Sequence, residues 1–358
     1  MSQPQSSAET VKTRILIISD THTAPLVDPS GNDEPGLEVA FRAPLPAADV
    51  LLHCGDLTMM GYLDEYEAAL DMLGSIDAPL KLVIAGNHDL SLDEEFYLGQ
   101  SRGRPPTMPF PNGQRMHLKK YDPDMPRKAK EMWTGEKAKA KGVTYLEEGV
   151  HEFVLQNGAK MTVYASPWQP EFWQWAFNYD HDNDRWNPPH LSAPDAVNVA
   201  VNPLPDHFPP GAVDVVMTHG PAKNRLDMTR SELAVGCPHL LRAVERARPR
   251  LHAWGHIHEA WGVERVEWPD REDAATAAGG KKPMKSIDEL VKKATEYEFD
   301  EDAMIKDHAA FVDVSNSGGA PLRVGEETVM VNASIMDLSY TPSNAPVVVD
   351  LELPKAKA

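Results

Sequence analysis

The stretch Leu80-Lys81-Leu82-Val83-Ile84-Ala85-Gly86-Asn87-His88-Asp89 decides how the chain is read. Its aliphatic and β-branched first half is a short buried strand, and Gly86 permits the sharp turn that ends it. An amide, an imidazole and a carboxylate therefore stand at the C-terminal end of a strand, where α/β proteins gather ligands and catalytic groups. Alone, Asn87-His88-Asp89 reads equally well as turn chemistry. The question becomes whether other strands end in the same way.

They do. Arg14-Ile15-Leu16-Ile17-Ile18-Ser19 runs directly into Asp20-Thr21-His22, and Asp49-Val50-Leu51-Leu52-His53-Cys54 into Gly55-Asp56. Both runs are continuously apolar rather than alternating, which marks burial on both faces. Residues 23–45 form a Pro-, Gly- and Asp-rich loop. Gly61–Ile76 carries Leu63, Tyr66, Ala69, Leu70 and Leu73 at helical spacing and returns the chain to the strand at Leu80. Strand, helix and parallel strand make a βαβ unit and place the protein in the α/β class. Further on, Val213–Met217 ends in Thr218-His219-Gly220, Gly236–Arg248 is a second helix, and Leu251–Trp254 ends in Gly255-His256-Ile257-His258.

Between these blocks, residues 91–141 read as helix, loop and helix, with a Pro-rich segment at Arg104–Pro111. The strands His151–Leu155 and Lys160–Ala165 flank Asn157-Gly158, a strong hairpin signal, and a second sheet begins there. Ser166–Trp186 is dense in aromatics, Phe172 among them, a composition that means either a packed cluster or a ligand-facing wall, with packing favoured for most of them. Residues 267–310 shift in composition and read as a mobile insertion, with Glu272–Lys285 rich in Ala, Gly and Lys and Ser286–Asp307 a charged, weakly amphipathic helix. Strand character resumes in Phe311–Val314, Glu327–Val331 and Val347–Leu353. The expectation is one domain over residues 1–358 with insertions at about 100–141 and 267–310.

Composition narrows the function. With 35 Lys and Arg against 54 Asp and Glu, the 358-residue chain has a formal net charge of -19. That argues against a protein that coats a nucleic-acid polymer or a membrane surface, though not against an anionic substrate held at a metal. No apolar run approaches a membrane span, and Met1–Thr10 lacks the apolar core of a signal peptide, so the expected location is cytoplasmic. Two cysteines, Cys54 and Cys237, are too few for a disulfide framework.

Five strand ends thus offer Asp20, His22, Asp56, Asn87, His88, His219, His256 and His258. Oxygen and imidazole donors without thiolate suit Mn, Fe, Zn, Ni or Mg. These are more candidate ligands than one ion needs, and a dinuclear site with one bridging carboxylate accounts for the number. A carboxylate spans two metals with its two oxygens, while neutral imidazoles leave net positive charge for an anionic substrate.

The order Asp-x-His, Gly-Asp, Gly-Asn-His-Asp, Thr-His-Gly and Gly-His-x-His resembles the calcineurin-like metallophosphoesterase superfamily. Ser166-Pro167-Trp168-Gln169-Pro170-Glu171-Phe172, Val235-Gly236-Cys237 and Asn332-Ala333-Ser334 are similar to its metallophosphoesterase-domain-containing, brain-type subfamily. The resemblance implies a four-layer α/β/β/α sandwich of two mixed sheets. It implies that Asp20, His22 and His258 hold one metal, that Asn87, His219 and His256 hold the other, and that Asp56 bridges them. It makes His88 the catalytic histidine, acting as an imidazolium that protonates the leaving group, with Asp89 as the acid that orients it and keeps it charged.

The activity so implied is phosphodiester hydrolysis, cyclic nucleotides included, by in-line attack of a metal-bridging hydroxide. Asn224 and Arg225 are further candidates for substrate contact, and Trp168, Trp173 and Phe177 for stacking on a nucleobase. Two other readings share the sequence: a nucleotide-binding scaffold with vestigial catalysis, and a dinuclear metalloenzyme with a phosphate-free substrate in a biosynthetic pathway. All seven ligand positions are filled, which weighs against the first.

Overall fold

The computed structural model describes residues 9–26, 39–101, 107–109, 115–117, 121–173, 175–205, 212–270 and 285–357. Most of the Pro-rich 104–111 segment and the 272–285 stretch lie outside these residues.

In chain order the first half contains β1 (Thr10–Ile18), β2 (Val50–His53), α1 (Leu63–Gly74), β3 (Leu80–Val83), α2 (Glu94–Ser101), α3 (Met125–Thr134), α4 (Glu136–Ala140) and β4 (Val143–Tyr145). The hairpin follows as β5 (Gly149–Val154) and β6 (Lys160–Ser166). The second half contains β7 (Val215–Thr218), α5 (Pro238–Ala247), β8 (Leu251–Trp254), β9 (Gly262–Glu267), β10 (Lys293–Glu296), α6 (Glu301–Asp307), β11 (Ala310–Asp313), β12 (Glu327–Asn332) and β13 (Val347–Pro354).

These strands form two mixed sheets. One runs β11-β13-β1-β2-β3-β4, and the other β10-β9-β12-β8-β7-β6-β5. The strands that carry the polar endings are parallel within each sheet, β1 to β2 to β3 and β7 to β8. Their C-terminal ends therefore lie at one edge of each sheet. A bridge between Ser19 and Ser334 joins the two sheets at that edge.

The continuous apolar runs are explained by a layer on each face. Ile15, Ile17, Leu52 and Leu82 pack against Val163, Val215, Met217 and Ala253 of the other sheet in one shared core. Leu16, Ile18, Leu51 and Val83 point the other way, onto Tyr66, Leu70 and Leu73 of α1 and Trp133 of α3. Tyr164, Val216, Trp254 and Met330 meet Leu240, Leu241 and Val244 of α5 on the far side. The order is helix, sheet, sheet, helix. The N-terminus of α1 is held by Glu65, whose Oε2 accepts from the amides of Tyr62 at 2.9 Å and Met60 at 3.1 Å.

Two expectations require correction. Residues 91–141 are not simply helix, loop and helix, because Thr107–Pro109 and Arg115–His117 pair as an antiparallel ribbon between α2 and α3. Ser286–Asp307 is not one helix: only Glu301–Asp307 is α-helical, capped by Asp300, and Lys293–Glu296 is β10. The open edge of β9 supplies backbone partners, and ladder pairing outweighs the weak helical periodicity there.

Because Leu52 is fully buried in the core between the sheets, Leu52→Ala should cost about 2–5 kcal/mol of unfolding free energy, measured by urea denaturation followed by circular dichroism.

Candidate metal centre

The backbone itself shows that the strand ends are specialised. Asp20, His22, Asp56 and His256 all have left-handed φ, at 52°, 44°, 53° and 68°. Non-glycine residues occupy that region only when their surroundings compel it, and such residues cluster at functional sites. Two glycines let the loops approach. A Cβ on Gly86 would stand 2.3 Å from the Asp56 carboxylate, and one on Gly255 would stand 1.9 Å from Asp20 Oδ2.

The side chains converge. Ligand atoms of Asp20, His22 and His258 lie within 4.8 Å of one another, as do those of Asp20, Asp56 and His219, and those of His22, Asp56 and His88. Asp56 is common to two of these groups. Its Oδ2 is 3.7 Å from His22 Nε2, and its Oδ1 is 3.5 Å from His219 Nε2. Asn87 Oδ1 is 2.9 Å from His219 Nε2, and His258 Nε2 is 3.4 Å from Asp20 Oδ1. His256 stands at the margin, its ring 4.9 Å from that of His219, with its backbone amide donating to Asp20.

Three of these imidazoles are oriented alike. Nδ1 of His22 bonds to the Thr58 carbonyl at 2.9 Å, that of His219 to Cys54 at 2.9 Å, and that of His258 to Asp337 at 3.1 Å. A carbonyl only accepts, so Nδ1 carries the proton and Nε2 turns its lone pair to the cluster, as metal-binding histidines do. His22 Nε2 is buried with no hydrogen-bond partner among the described residues. A cation satisfies that orphan, and the donor set fits it. The electrostatics divide the four imidazoles, and against its burial His258 is raised by the Asp20 carboxylate. Burial pushes His22 and His256 down to about 3, the neutral form a ligand needs. Burial also works against a proton on His219, but the Asp56 carboxylate outweighs it and lifts this group to about 9.

The Asp89 carboxylate does not orient His88. It accepts from the amides of Gly86 at 2.8 Å, Leu57 at 3.2 Å and Thr58 at 3.1 Å, and from Thr58 Oγ1 at 2.7 Å. Its task is to clamp the β3 turn to the loop after β2. Four donors at such short range draw the carboxylate away from the neighbouring imidazole. His88 is held instead by Met59, whose carbonyl accepts from Nδ1 at 2.9 Å, by its amide bond to Asp56 Oδ1 at 2.8 Å, and by Trp175 stacked on its ring at 4.0 Å. Burial lowers its proton affinity, opposed by the charge of Asp56.

The other candidates fall elsewhere. Trp168 lies over the Arg185 guanidinium at 3.7 Å and edge-on to Phe177, a packing role. Phe177 is buried, whereas Trp173 is exposed. Asn224 and Arg225 line a groove that includes none of the seven candidate ligands. His53 and His252 hold the hydroxyls of Thr21 and Thr218 beside the ligand loops, at 2.8 and 3.0 Å. Sequence reasoning missed Tyr340, whose ring is 4.9 Å from that of His22 and 5.5 Å from that of His258; of the aromatic stretch it is Phe172, not offered as a stacking residue, that lies 5.7 Å from the His256 ring. Only the nearness of Tyr340 to Asn332-Ala333-Ser334 could have pointed to it.

Two mixed sheets whose strand ends share a buried cluster of oxygen and imidazole donors define an α/β protein equipped to carry cations. The chain belongs to the calcineurin-like phosphoesterase family, whose sequence profile matches residues 13–260. It is 31% identical over 256 residues to metallophosphoesterase domain-containing protein 1 of Homo sapiens and of Mus musculus, a match covering 70% of this chain and 62% of each relative. A UPF0046 protein of Caenorhabditis elegans is 31% identical over 222 residues, 61% of this chain and 48% of the relative. The match thus spans less than two thirds of the length of these relatives. No helix among the described residues is long and apolar enough to cross a membrane.

Metal content measured by mass spectrometry should fall in Asp56→Asn and in Gly255→Ala, and in both the rise in Tm on adding metal should shrink. Asp89→Asn should instead lower Tm in the metal-free protein, by losing clamp bonds worth about 1–3 kcal/mol.

Proposed function

We propose that this protein is a dinuclear metal-dependent phosphoesterase acting on small phosphodiesters, cyclic nucleotides among them. The observation that carries the reading is Asp56, a buried carboxylate whose two oxygens face imidazoles from different sheets, His22 and His219. Asp20, His22 and His258 would hold one cation, Asn87, His219 and His256 the other, and Asp56 both. Bound divalent cations supply Lewis-acid polarisation of phosphoryl oxygens and acidify water.

The chain's own residues complete the chemistry. His22 and His256, held neutral by burial, would leave the positive charge of bound cations for an anionic ester. His88, fixed at Nδ1 by Met59 and stacked on Trp175, keeps Nε2 for the leaving oxygen. Negative charge on an arriving phosphoester raises the proton affinity of that nitrogen, so it charges when substrate is present and donates as the ester bond breaks. Half-exposed Phe172 and Tyr340 border opposite ends of the cluster. Each offers a flat wall to a nucleobase, a stacking worth about 1–3 kcal/mol. The formal charge of -19 favours small esters over nucleic-acid polymers.

Metal-loaded protein should cleave bis(p-nitrophenyl) phosphate when screened with Mn, Ni, Zn and Mg. His88→Ala should lose about 10²–10⁴ in kcat with its metal content unchanged. Full activity in that variant would remove His88 from the mechanism, and no turnover with any metal would sink the phosphoesterase reading.

A further inference from the structure

A groove of about 870 Å³ runs beside the loop that follows His258 and includes none of the seven candidate ligands. That volume suits a small-molecule site. One wall is the 224–230 loop. The other is the β9–β10 edge, which lies past residue 260, where the family profile ends.

Glu264 of β9 is the central group. Its side chain is 5% exposed, its Oε2 pairs with Arg225 Nη1 at 3.1 Å, and its Oε1 has no hydrogen-bond partner among the described residues. Glu296 of β10 stands directly opposite it in the antiparallel register. Like charges so opposed destabilise a ladder, and a buried acceptor left unsatisfied costs more. The other acids of the groove are partly committed. Asp227 accepts from the amides of Asn224 and Gly236, and Glu259 from that of Arg230. Four carboxylates thus face two guanidinium groups, those of Arg225 and Arg230, and one of these is already paired. Burial pushes the Glu264 carboxyl up to about 7, with Arg225 pulling it down and Glu296 and Asp227 pushing it further up.

We propose that this groove binds an organic cation, a primary ammonium or guanidinium group on an apolar body. Its N–H donors meet the free oxygen of Glu264 and the carboxylate of Glu296, and its carbon chain covers Leu226 and Trp261. The indole face adds cation–π attraction. A metal ion is a poorer occupant, since the three-ligand groupings within 4.8 Å all lie at the strand-end centre. An anion would meet an excess of negative charge.

The test is calorimetric titration of the full-length, metal-loaded protein with agmatine, which carries both groups. The expected result is a Kd of about 0.1–1 mM, not displaced by pentan-1-ol or by inorganic phosphate. Glu264→Gln should weaken binding by at least about tenfold and Glu296→Gln by about threefold. Glu296 lies on an exposed edge strand, so that variant decides the matter even if Glu264→Gln folds poorly. Absence of binding up to about 10 mM agmatine, equal affinity in both variants, or displacement by phosphate would each overturn the proposal. Neither readout depends on turnover at the metal centre.

Discussion

The burial of Asp56 is the constraint on which the rest of the structure depends. It is 2% exposed, and an ionised carboxylate so placed is tolerated only where positive charge or hydrogen-bond donors meet it. This protein meets it from both sheets: His22 comes from the end of β1, His219 from the end of β7, and the His88 amide from the turn after β3. A charge that must be balanced from two sheets fixes how they sit at that edge. The Ser19–Ser334 bridge and the hydrogen bond from the Ile335 amide to the Ser19 carbonyl secure the same seam.

Around that charge the loops accept strain that a merely structural turn would avoid. Four of the candidate ligands adopt left-handed backbone, and Gly86 and Gly255 surrender their side chains to let carboxylates pass. Backbone carbonyls at Cys54, Thr58 and Asp337 then fix which ring nitrogen looks inward. The centre is thus preorganised by main-chain geometry, so cations would find these ring nitrogens already turned toward them. Asp89 belongs to the same scaffold, since its hydrogen bonds tie two loops together and leave His88 to Met59 and Trp175.

The β9–β10 edge places chemistry of its own beside the core. The strands that bear the cluster are central in their sheets, whereas β10 is an edge strand of exposed residues. An edge strand can carry polar side chains without disturbing the core. Glu296 is such a side chain, placed by register alone against buried Glu264.

Most of the site was legible in the sequence, for a definite reason. Strands buried on both faces must be continuously apolar, so a run such as Ile15–Ile18 that ends in Asp20 and His22 exposes both the strand and its functional end in one dimension. Five such endings, with Gly86 and Gly255 beside them, also marked the candidate ligands as oxygen and imidazole donors. What the sequence could not determine is which neighbours reach across. Asp89 follows His88 directly, yet its partners are the amides of Gly86, Leu57 and Thr58; Tyr340 borders the cluster from a loop with no motif of its own, and nothing local marks Phe172 as the ring that meets His256. The stretch after Ser286 read as helix from its own residues and became a strand because β9 had an unpaired edge. Local pattern is written by burial and turn geometry, which act within a few residues. Hydrogen-bond partners, ring contacts and edge pairing depend on groups distant in the chain, and only the tertiary structure brings those together.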